Sequence, residues 1–263
     1  MRIYVCVKHV PDSAATITVV EEKSIATGIT FLLNPYDEHA LTEAAKIGKE
    51  TAAADAEVIA VCVGPPAAEN TLRSALAMGA DRGILVSLEA GSTALPDSMA
   101  TARALAAAIT TDDQRQPDLI LAGREAIDTE GMQTMFRLAH HLGLPAATNV
   151  VAVAVADDHI EAICEKDSGT REVLRLTRPC VLAAGKGLNT PKYPTFPDIV
   201  KARKTALKTI AWEAVNLAPA TGGTEIERLE PADEARTPKA ITGDTAAVAA
   251  ELVRILREEA KVV

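Results

Sequence analysis

Apolar residues in the first two thirds of the chain alternate between short continuous runs and helical stripes. The runs predict buried strands, and the stripes predict helices that connect them. Predicted strands cover residues 3–7, 57–63, 83–87 and 118–121, and predicted helices cover 35–47, 67–78, 96–110 and 129–142. Strict alternation with short connections predicts an α/β fold, with a parallel twisted sheet and flanking helices.

The pattern changes after about residue 149. A small β excursion at 16–20 and 29–33 precedes the first helix, and a β meander is predicted at 150–155, 160–165 and 172–176, followed by a strand at 181–184. Residues 185–197 are irregular, and 199–206 predict a short basic helix. The stretch 214–239 predicts an extended arm, and 244–260 a terminal amphipathic helix.

Composition narrows the class of protein. The chain has 27 Lys and Arg against 36 Asp and Glu, a formal charge of −9, which argues against a dedicated nucleic-acid binder. No run approaches the roughly 20 apolar residues of a membrane span, and no secretory signal is visible. The four cysteines form no C-x-x-C pair, and three fall inside strand-like runs, which indicates small buried hydrophobes in a reducing compartment.

The familiar catalytic and phosphate motifs are missing. The sequence contains no G-x-x-x-x-G-K-[ST], G-x-G-x-x-G, H-E-x-x-H or G-x-S-x-G. The five histidines have no metal-ligand spacing beyond the adjacent His140 and His141, which are expected at a helix end. We therefore predict no catalytic residue and no metal site.

The most informative segment is 123–134, which follows a predicted strand. Gly123 permits a turn, and Asp128, Thr129 and Gln133 are expected at the N-terminus of the next helix. Free N–H groups at such an end suit a phosphate, and Thr134 adds a hydroxyl. The alternative is an ordinary capped loop, because Asp and Thr cap many helices.

Other loops are expected at the same sheet edge, where parallel sheets bind ligands. Lys8 either meets a phosphate or is simply solvated. Asn34 is a good N-cap and Pro35 suits the first helical position, while Asp37 suits the positive end of the helix dipole. At Val63 and Gly64, backbone amides can approach a flat ring.

A second candidate region is the proline-stiffened stretch after residue 190. Tyr193 and Phe196 are two of only six Tyr and Phe in the chain. A basic cluster follows them, made up of Lys201, Arg203, Lys204 and Lys208. Exposed aromatics beside basic residues predict a docking surface, unless the rings fold back onto the meander and the lysines are merely solvated.

Together these segments resemble the β subunit of electron transfer flavoproteins. The resemblance covers nearly the whole chain and rests on motifs in a fixed order. They are Val7-Lys8-x-Val10-Pro11-Asp12, Leu33-Asn34-Pro35-x-Asp37-Glu38-x-Ala40, Ala75–Gly83, Gly123-Arg124-x-Ala126-Ile127-Asp128, Glu172–Ala183, Leu188-Asn189-x-Pro191–Pro197 and Lys201–Lys204.

The resemblance implies a fold related to the adenine nucleotide alpha hydrolases and a heterodimer. The α subunit would hold most of a redox-active FAD, and this chain would bind either AMP or a second FAD that reacts with NADH. The implied nucleotide contacts are Cys6, Lys8, Asn34, Pro35, Tyr36, Asp37, Val63, Gly64, Gly123, Arg124, Ala126, Ile127, Asp128, Thr129, Gly131, Met132, Gln133 and Thr134. Three regions are implied: a nucleotide-binding domain at 1–190, a partner recognition loop at 190–204, and an arm at 205–263 that docks on the partner subunit.

Electrons would come from donor dehydrogenases such as acyl-CoA dehydrogenases and pass to a membrane quinone oxidoreductase or another acceptor. Tyr193, Phe196, Lys201 and Lys204 are the implied recognition residues, with Phe196 at an anchor position that is usually leucine. The expected compartment is the cytoplasm, or the mitochondrial matrix in a eukaryote. No contact with nucleic acid is expected.

The sequence departs from the family pattern at Glu125, where glutamine is frequent, and at 129–132, where AMP binders often carry a more acidic run. A rival interpretation is a free-standing adenine-nucleotide sensor of the universal-stress type. A second rival interpretation is an adenylating ligase. That activity requires an S-G-G-x-D-S loop after the first strand, and this sequence has no such loop there.

Overall fold

The apolar runs form a nine-stranded sheet in this computed structural model. The structure describes residues 1–22, 24–26, 28–51, 56–89, 96–112, 115–215, 226–231 and 238–263. The strands are β1 (Arg2–Val7), β2 (His9–Pro11), β3 (Val19–Val20), β4 (Ser24–Ile25), β5 (Phe31–Leu33), β6 (Glu57–Gly64), β7 (Arg82–Ser87), β8 (Leu119–Gly123), β9 (Ala146–Val155), β10 (His159–Glu165), β11 (Arg171–Thr177), β12 (Cys180–Ala184) and β13 (Leu207–Ala211).

The large sheet has the strand order β11-β10-β9-β12-β8-β1-β6-β7-β13. Each strand is parallel to its neighbour along the part of this order that runs from β9 to β13. The pairs β9 with β10 and β10 with β11, which form the meander, are antiparallel. The small strands form two separate ladders, β2 with β5 and β3 with β4. The predicted α/β fold with a meander is confirmed, and the meander continues the parallel sheet.

Helices cover both faces of this sheet. They are α1 (Pro35–Glu50), α2 (Glu69–Met78), α3 (Ser98–Thr111), α4 (Thr134–Leu142) and α5 (Phe196–Lys204), and a further helix, α6 (Thr245–Arg254), belongs to a separate C-terminal unit. One buried cluster joins the sheet to α1, α2 and α5, and a second joins its other face to α3 and α4. The described fold therefore has three layers, with the sheet in the middle, as alternating strands and helices require.

Two predicted helices begin three or more residues away from their expected start. The helix predicted at 129–142 begins at Thr134, because Glu130 and Met132 have positive φ angles that interrupt a helix. The helix predicted at 199–206 spans 196–204, because Thr195 and Asp198 form a capping box that starts it earlier. Phe196 thus lies at the first position of a helix.

Strand β13 was not predicted. It is short, its residues are at most half-buried, and it joins the sheet at the edge beside β7. Its Lys208 ammonium lies 2.9 Å from a carboxylate oxygen of the completely buried Asp112, so this member of the predicted basic cluster also forms an ion pair within the protein. A lysine in a polar stretch gives no local sign of a partner 96 residues away.

Asp112 is the centre of a cluster of charged side chains near the amino ends of the parallel strands. Its carboxylate also receives hydrogen bonds from Arg82 at 2.8 Å and from the Tyr4 hydroxyl at 3.0 Å. Burial opposes ionisation of this carboxyl, but the hydrogen bonds from Arg82, Lys208 and Tyr4 outweigh it and hold its pKa at about 2. Strands β1, β7 and β13 are thereby tied to the end of α3.

The described chain divides into two units, Met1–Leu229 and Glu230–Val263. In the second unit, Asp244 caps α6, Arg254 pairs with Glu251, Glu258 and Glu259, and a π-helical turn (Ile255–Glu259) follows the helix. None of the residues of α6 is buried. Of the arm predicted at 214–239, residues 216–225 and 232–237 lie outside the described residues.

All four cysteines lie in strands and are buried as free thiols. Burial raises the pKa of Cys6, and it raises the pKa of Cys62 to about 12. These thiols are therefore protonated at neutral pH, as expected for small buried hydrophobes.

Candidate functional site

The predicted nucleotide residues meet at the carboxyl edge of the parallel sheet. Strand β1 lies between β6 and β8, with Cys6 in register with Val61 on one side and Ala122 on the other. The loops after these three strands therefore start side by side, and they are the loops that contain Lys8, Gly64 and Gly123.

Asp37 joins two of these strand ends. Its carboxylate accepts hydrogen bonds from the backbone N–H of Lys8 at 2.8 Å and of Gly123 at 2.9 Å. The side chain is buried, and burial raises its pKa to about 7 although these hydrogen bonds act in the opposite direction. Asp37, which was expected to suit the helix dipole and to contact the nucleotide, is thus a clamp between β1 and β8.

Asn34 fixes the start of the loop that follows β8. It occupies the N-cap position of α1, but its side chain makes no capping hydrogen bond. Instead its amide nitrogen donates to the carbonyl of Glu125 at 2.9 Å, and its oxygen accepts from the N–H of Ile127 at 3.2 Å. The predicted cap position is correct, and the predicted use of the side chain is wrong.

Gly123 is required by close packing. A Cβ at this position would lie 2.4 Å from Oδ1 of Asp37 and 2.6 Å from Cβ of Tyr36. Its backbone is not among those with a positive φ angle, so the expectation that Gly123 serves a turn is replaced by a steric reason.

Lys8 reaches across to the same loop. Its ammonium lies 2.8 Å from Oδ1 of Asp128 and 3.3 Å from the Thr129 hydroxyl. The sequence predicts Asp128 and Thr129 at the helix N-terminus. In the structure they instead lie in the loop before α4, where they pair with Lys8. Lys8 is about one third exposed, so its ammonium is also accessible from outside.

Arg124 is held inside the protein framework. Its guanidinium donates to Glu125 at 2.6 Å and to Asn149 at 3.0 Å, and its Cζ lies 5.3 Å from the centre of the Tyr36 ring. Burial acts to raise the pKa of Glu125, yet the hydrogen bonds from Arg124 and Tyr36 outweigh burial and lower this pKa. The hydrogen bond to Glu125 in turn raises the pKa of Tyr36.

Sequence reasoning missed Asn149 as part of this framework. It has a positive φ angle of 53° at the irregularity between β9 and β12, and Gly185 packs against its backbone. The only local signal is that asparagine tolerates this conformation better than other residues.

The N-terminus of α4 carries N–H groups that suit an anion. Gln133 occupies the cap position without a side-chain hydrogen bond, and among the described residues no acceptor meets the N–H groups of Thr134, Met135 and Phe136. Helix ends normally have such groups satisfied by side chains, water or a ligand. The loop before this end is shaped by the positive φ angles at Glu130 and Met132, with Gly131 between them.

The remaining predicted contacts flank this region. Val63 is half-buried and packs against the same core cluster as Cys6. Gly64 is buried, and a Cβ added at this position would lie 3.0 Å from Cβ of Ala68. Pro35 and Ala126 lie in the two segments that Asn34 connects. The predicted residues in the loops after β1, β6 and β8 are thus neighbours at the carboxyl edge of the sheet.

The aromatic residues of the second candidate region point outward. The side chains of Tyr193 and Phe196 are 84% and 78% exposed, so they do not fold back onto the meander. Lys201 and Lys204 lie on α5 and are exposed. The stretch therefore presents aromatic and basic groups on the surface.

Among the described residues, no helix has the length and apolar character needed to cross a membrane. In the same part of the chain, no group of three or more His, Cys, Asp or Glu side chains is placed to hold a metal ion.

Comparison with known proteins identifies the family of the chain. Residues 24–215 match the family model described as the electron transfer flavoprotein domain. The chain therefore belongs to the electron transfer flavoprotein family.

Relatives extend the match and specify the subunit. The electron transfer flavoprotein subunit beta of Bacillus subtilis is 33% identical over 268 residues, which cover 100% of both chains. The subunit beta of Syntrophomonas wolfei subsp. wolfei is 37% identical over 211 residues, 80% of each chain, and the human one is 36% identical over 212 residues, 80% of this chain and 81% of its own. Within the family the chain is a β subunit of electron transfer flavoproteins, as its sequence predicts.

Proposed function

We propose that this chain pairs with an α subunit that holds most of a redox-active FAD, and that it binds an adenine nucleotide, AMP, at the carboxyl edge of its own sheet. The observation that carries the nucleotide proposal is the uncapped N-terminus of α4, together with the Lys8 ammonium, which contacts Asp128 and Thr129 in the loop that leads into α4. An anion is stabilised by free N–H groups, by the helix dipole and by a nearby ammonium.

The residues present fit such a group. The first-turn N–H groups of α4 and the side chain of Lys8 would hold a phosphate, and the Thr134 hydroxyl adds a donor there. Val63, which is half-buried near the end of β6, would lie against a flat base together with the adjoining Gly64. Asp37 and Asn34 act indirectly, since they hold Gly123, Glu125 and Ile127 in place.

A second FAD in place of AMP is the alternative. Met132 and Phe136 are 37% and 44% exposed, and they lie within or directly after the loop that leads into α4. Exposed apolar side chains beside a nucleotide loop favour a larger, partly apolar ligand such as a flavin. A second FAD would supply a centre that accepts electrons from NADH, whereas AMP has no redox role.

The electron-carrying step belongs to the flavin of the heterodimer. This chain contributes a scaffold for the partner, and it presents Tyr193 and Phe196 with Lys201 and Lys204 to donor dehydrogenases such as acyl-CoA dehydrogenases. We further propose that residues 205–263 contribute contacts to the α subunit, because α6 has apolar side chains and none of its residues is buried within its own unit. Acceptors such as a membrane quinone oxidoreductase complete the proposal.

The test is a count of nucleotides in the purified heterodimer. The two subunits are produced together, the complex is denatured, and FAD and AMP are separated and quantified. One FAD and one AMP per heterodimer support the proposal. Two FAD and no AMP establish the alternative, and a colourless chain that purifies without a partner subunit contradicts both.

A further inference from the structure

The segment that carries Tyr193 and Phe196 is held at both ends by side chains from two helices. Its first end, at Asn189, is bound to α1, and its last end, at the C-terminus of α5, is bound to α2. Neither anchoring residue belongs to the docking residues predicted from the sequence. In between, the chain has three prolines, Pro191, Pro194 and Pro197.

The first anchor is the amide of Asn189. Its nitrogen donates to the carbonyl of His39 at 3.0 Å and to the carboxylate of Glu43 at 2.9 Å. Its own carbonyls face the ring of His39, with Nδ1 3.0 Å from the backbone oxygen and 3.2 Å from Oδ1. Both amide donors and the side-chain acceptor are therefore used on one helix.

The same helix continues the contact beyond Asn189. The N–H of Lys192 donates to the Thr42 hydroxyl at 3.2 Å. Glu43 is only 2% exposed and also accepts from the Lys46 ammonium at 3.1 Å, so its charge is compensated where it meets Asn189. The approach to Tyr193 is thus tied to α1 by both side chain and backbone.

The second anchor is Arg73 on α2. Its guanidinium donates to the carbonyl of Ala202 at 2.7 Å and to the carbonyl of Thr205. Its other nitrogens donate to Glu69, one turn earlier on the same helix, at 2.8 and 3.3 Å. The last carbonyls of a helix lack internal partners and favour a cation, so Arg73 stabilises the end of α5.

Between the two anchors the turn into α5 is fixed locally. The N–H and hydroxyl of Thr195 both donate to the Asp198 carboxylate, at 2.9 and 2.7 Å. Pro197 fits the start of the helix. Phe196 is nevertheless 78% exposed, so it is displayed by a rigid support and is not stabilised by packing of its own ring.

We propose that Asn189 and Arg73 are positioning residues for partner docking. They hold the segment 189–205 in one conformation before an encounter, so that its ordering does not reduce the binding free energy. The occupant of this surface is a dehydrogenase with an apolar pocket for the Phe196 ring and acidic residues opposite Lys201 and Lys204. The inference deepens the proposed function and depends on it.

The test uses the heterodimer with its flavin and an acyl-CoA dehydrogenase, reduced by its substrate, as the probe. We expect Asn189→Ala and Arg73→Ala each to raise the KM for the dehydrogenase about tenfold, because an ordered segment becomes an ensemble. The kcat and the FAD content are expected to stay unchanged, because neither side chain bonds to the nucleotide residues proposed above. Tryptic cleavage after Lys192 is expected to become faster in both variants.

Matched controls come from α2 itself. Asn70→Ala removes an exposed amide, and Ser74→Ala removes a hydroxyl that bonds only within its own helix. Both are expected to keep the KM of the unmodified protein. Arg73→Lys, which retains a cation at the end of α5, is expected to recover part of the loss.

Asn189→Asp separates positioning from simple packing. It has nearly the same shape as asparagine but brings a second carboxylate against the buried Glu43 and removes both donors. We expect it to raise KM at least as much as Asn189→Ala. A KM like that of the unmodified protein overturns the role of the Asn189 amide.

Failure of the inference and failure of the proposed function give different results. If Phe196→Ala leaves the KM for the dehydrogenase unchanged, the docking surface itself is wrong. If Phe196→Ala raises the KM while Asn189→Ala and Arg73→Ala leave it unchanged, the docking surface stands and the positioning role is overturned. Proteolysis reports on the segment even if one variant gives too little complex for kinetics.

Discussion

Asp37 and Gly123 are packed so closely that the carboxylate of one accepts a hydrogen bond from the N–H of the other at 2.9 Å. They are 86 residues apart in the sequence. This contact joins the first turn of α1 to the end of β8, where the candidate nucleotide loop begins.

Gly123→Ala is expected to destabilise the protein by about 3 kcal/mol, because the added methyl group overlaps Asp37 and the backbone of Tyr36. Urea denaturation measures the free energy of unfolding. Gly131→Ala is the control, since its nearest neighbour would be 4.0 Å from the new Cβ. Equal losses in the two variants would contradict the steric role of Gly123.

The pH dependence of stability should contain a contribution from Asp37. Its pKa is about 7 in the folded protein and about 4 in the unfolded chain. Between these values the folded state keeps the proton and the unfolded state does not. This contribution to stability therefore falls as the pH rises from 4 to 7, by about 1.4 kcal/mol per pH unit, and is constant above.

The measurement compares the protein with Asp37→Asn, which cannot ionise. The variant is expected to be less stable throughout, because its amide presents N–H groups to one of the two backbone donors. The stability difference between the two proteins should narrow by about 2.5 kcal/mol between pH 5 and 7.5. A difference that is independent of pH rules out titration of Asp37 in this range.

Asp112 should give the opposite pH dependence. Its pKa is about 2 in the folded protein, below the unfolded value of about 4, so its contribution is present above pH 4 and lost as the pH falls towards 2. Asp112→Asn is expected to cost about 3 kcal/mol at neutral pH, because Arg82 and Lys208 lose their shared carboxylate.

Thermal or urea unfolding at pH 7 and pH 3 tests this prediction for Asp112. The deficit of Asp112→Asn should shrink at the lower pH. Asp157→Asn changes an exposed carboxylate and is expected to have little effect at either pH. A deficit that grows on acidification would show that the cluster does not depend on the ionised carboxylate.

Lys8→Ala is expected to weaken nucleotide retention by the heterodimer about tenfold, because an ammonium beside a phosphate contributes on the order of 1–2 kcal/mol. Equilibrium dialysis against AMP measures the affinity. Lys186→Ala, which removes an exposed lysine from a different loop, is the control. An unchanged AMP affinity would remove Lys8 from the proposed site.

Phe196→Ala is expected to slow electron transfer from the donor dehydrogenase while the FAD content stays constant, because the ring supplies an exposed apolar anchor. Stopped-flow reduction of the heterodimer by a reduced acyl-CoA dehydrogenase measures the rate. Phe196→Leu keeps an apolar side chain at this position and should retain most of the rate. Turnover that is unaffected by Phe196→Ala contradicts the anchor assignment.

The order of strands and helices could be predicted because it depends on local patterns. Continuous apolar runs such as 57–63 correspond to β6, and the Asn34-Pro35 pair marks the start of α1 within one residue. Strand β13 was missed because an edge strand with only partly buried residues lacks a clear apolar period. The start of α4 was misplaced because positive φ angles at Glu130 and Met132 leave little trace in the residue types.

For the site, the sequence identified which residues gather, but not how they bond. Local patterns explained Asn34 and Asp37 only by their effect on a helix end, and the family resemblance implied nucleotide contacts, whereas in the structure both side chains hold the loop after β8. Asn189 occurred only within a family motif, and Arg73 was not singled out at all. Their hydrogen-bond partners lie 129 to 150 residues away, beyond the reach of any local pattern.

By itself, the sequence determined the α/β class, the layered order of the elements and the β-subunit family. Tertiary structure alone decided that the Tyr193 and Phe196 side chains are exposed, that Asp37 clamps two strands, that Lys208 pairs with Asp112, and that α1 and α2 hold the ends of the segment 189–205. The physical reason is range. Hydrophobic periodicity and capping act within a few residues, whereas a buried polar group takes as its partner whichever donor or acceptor the packed chain brings within about 3 Å.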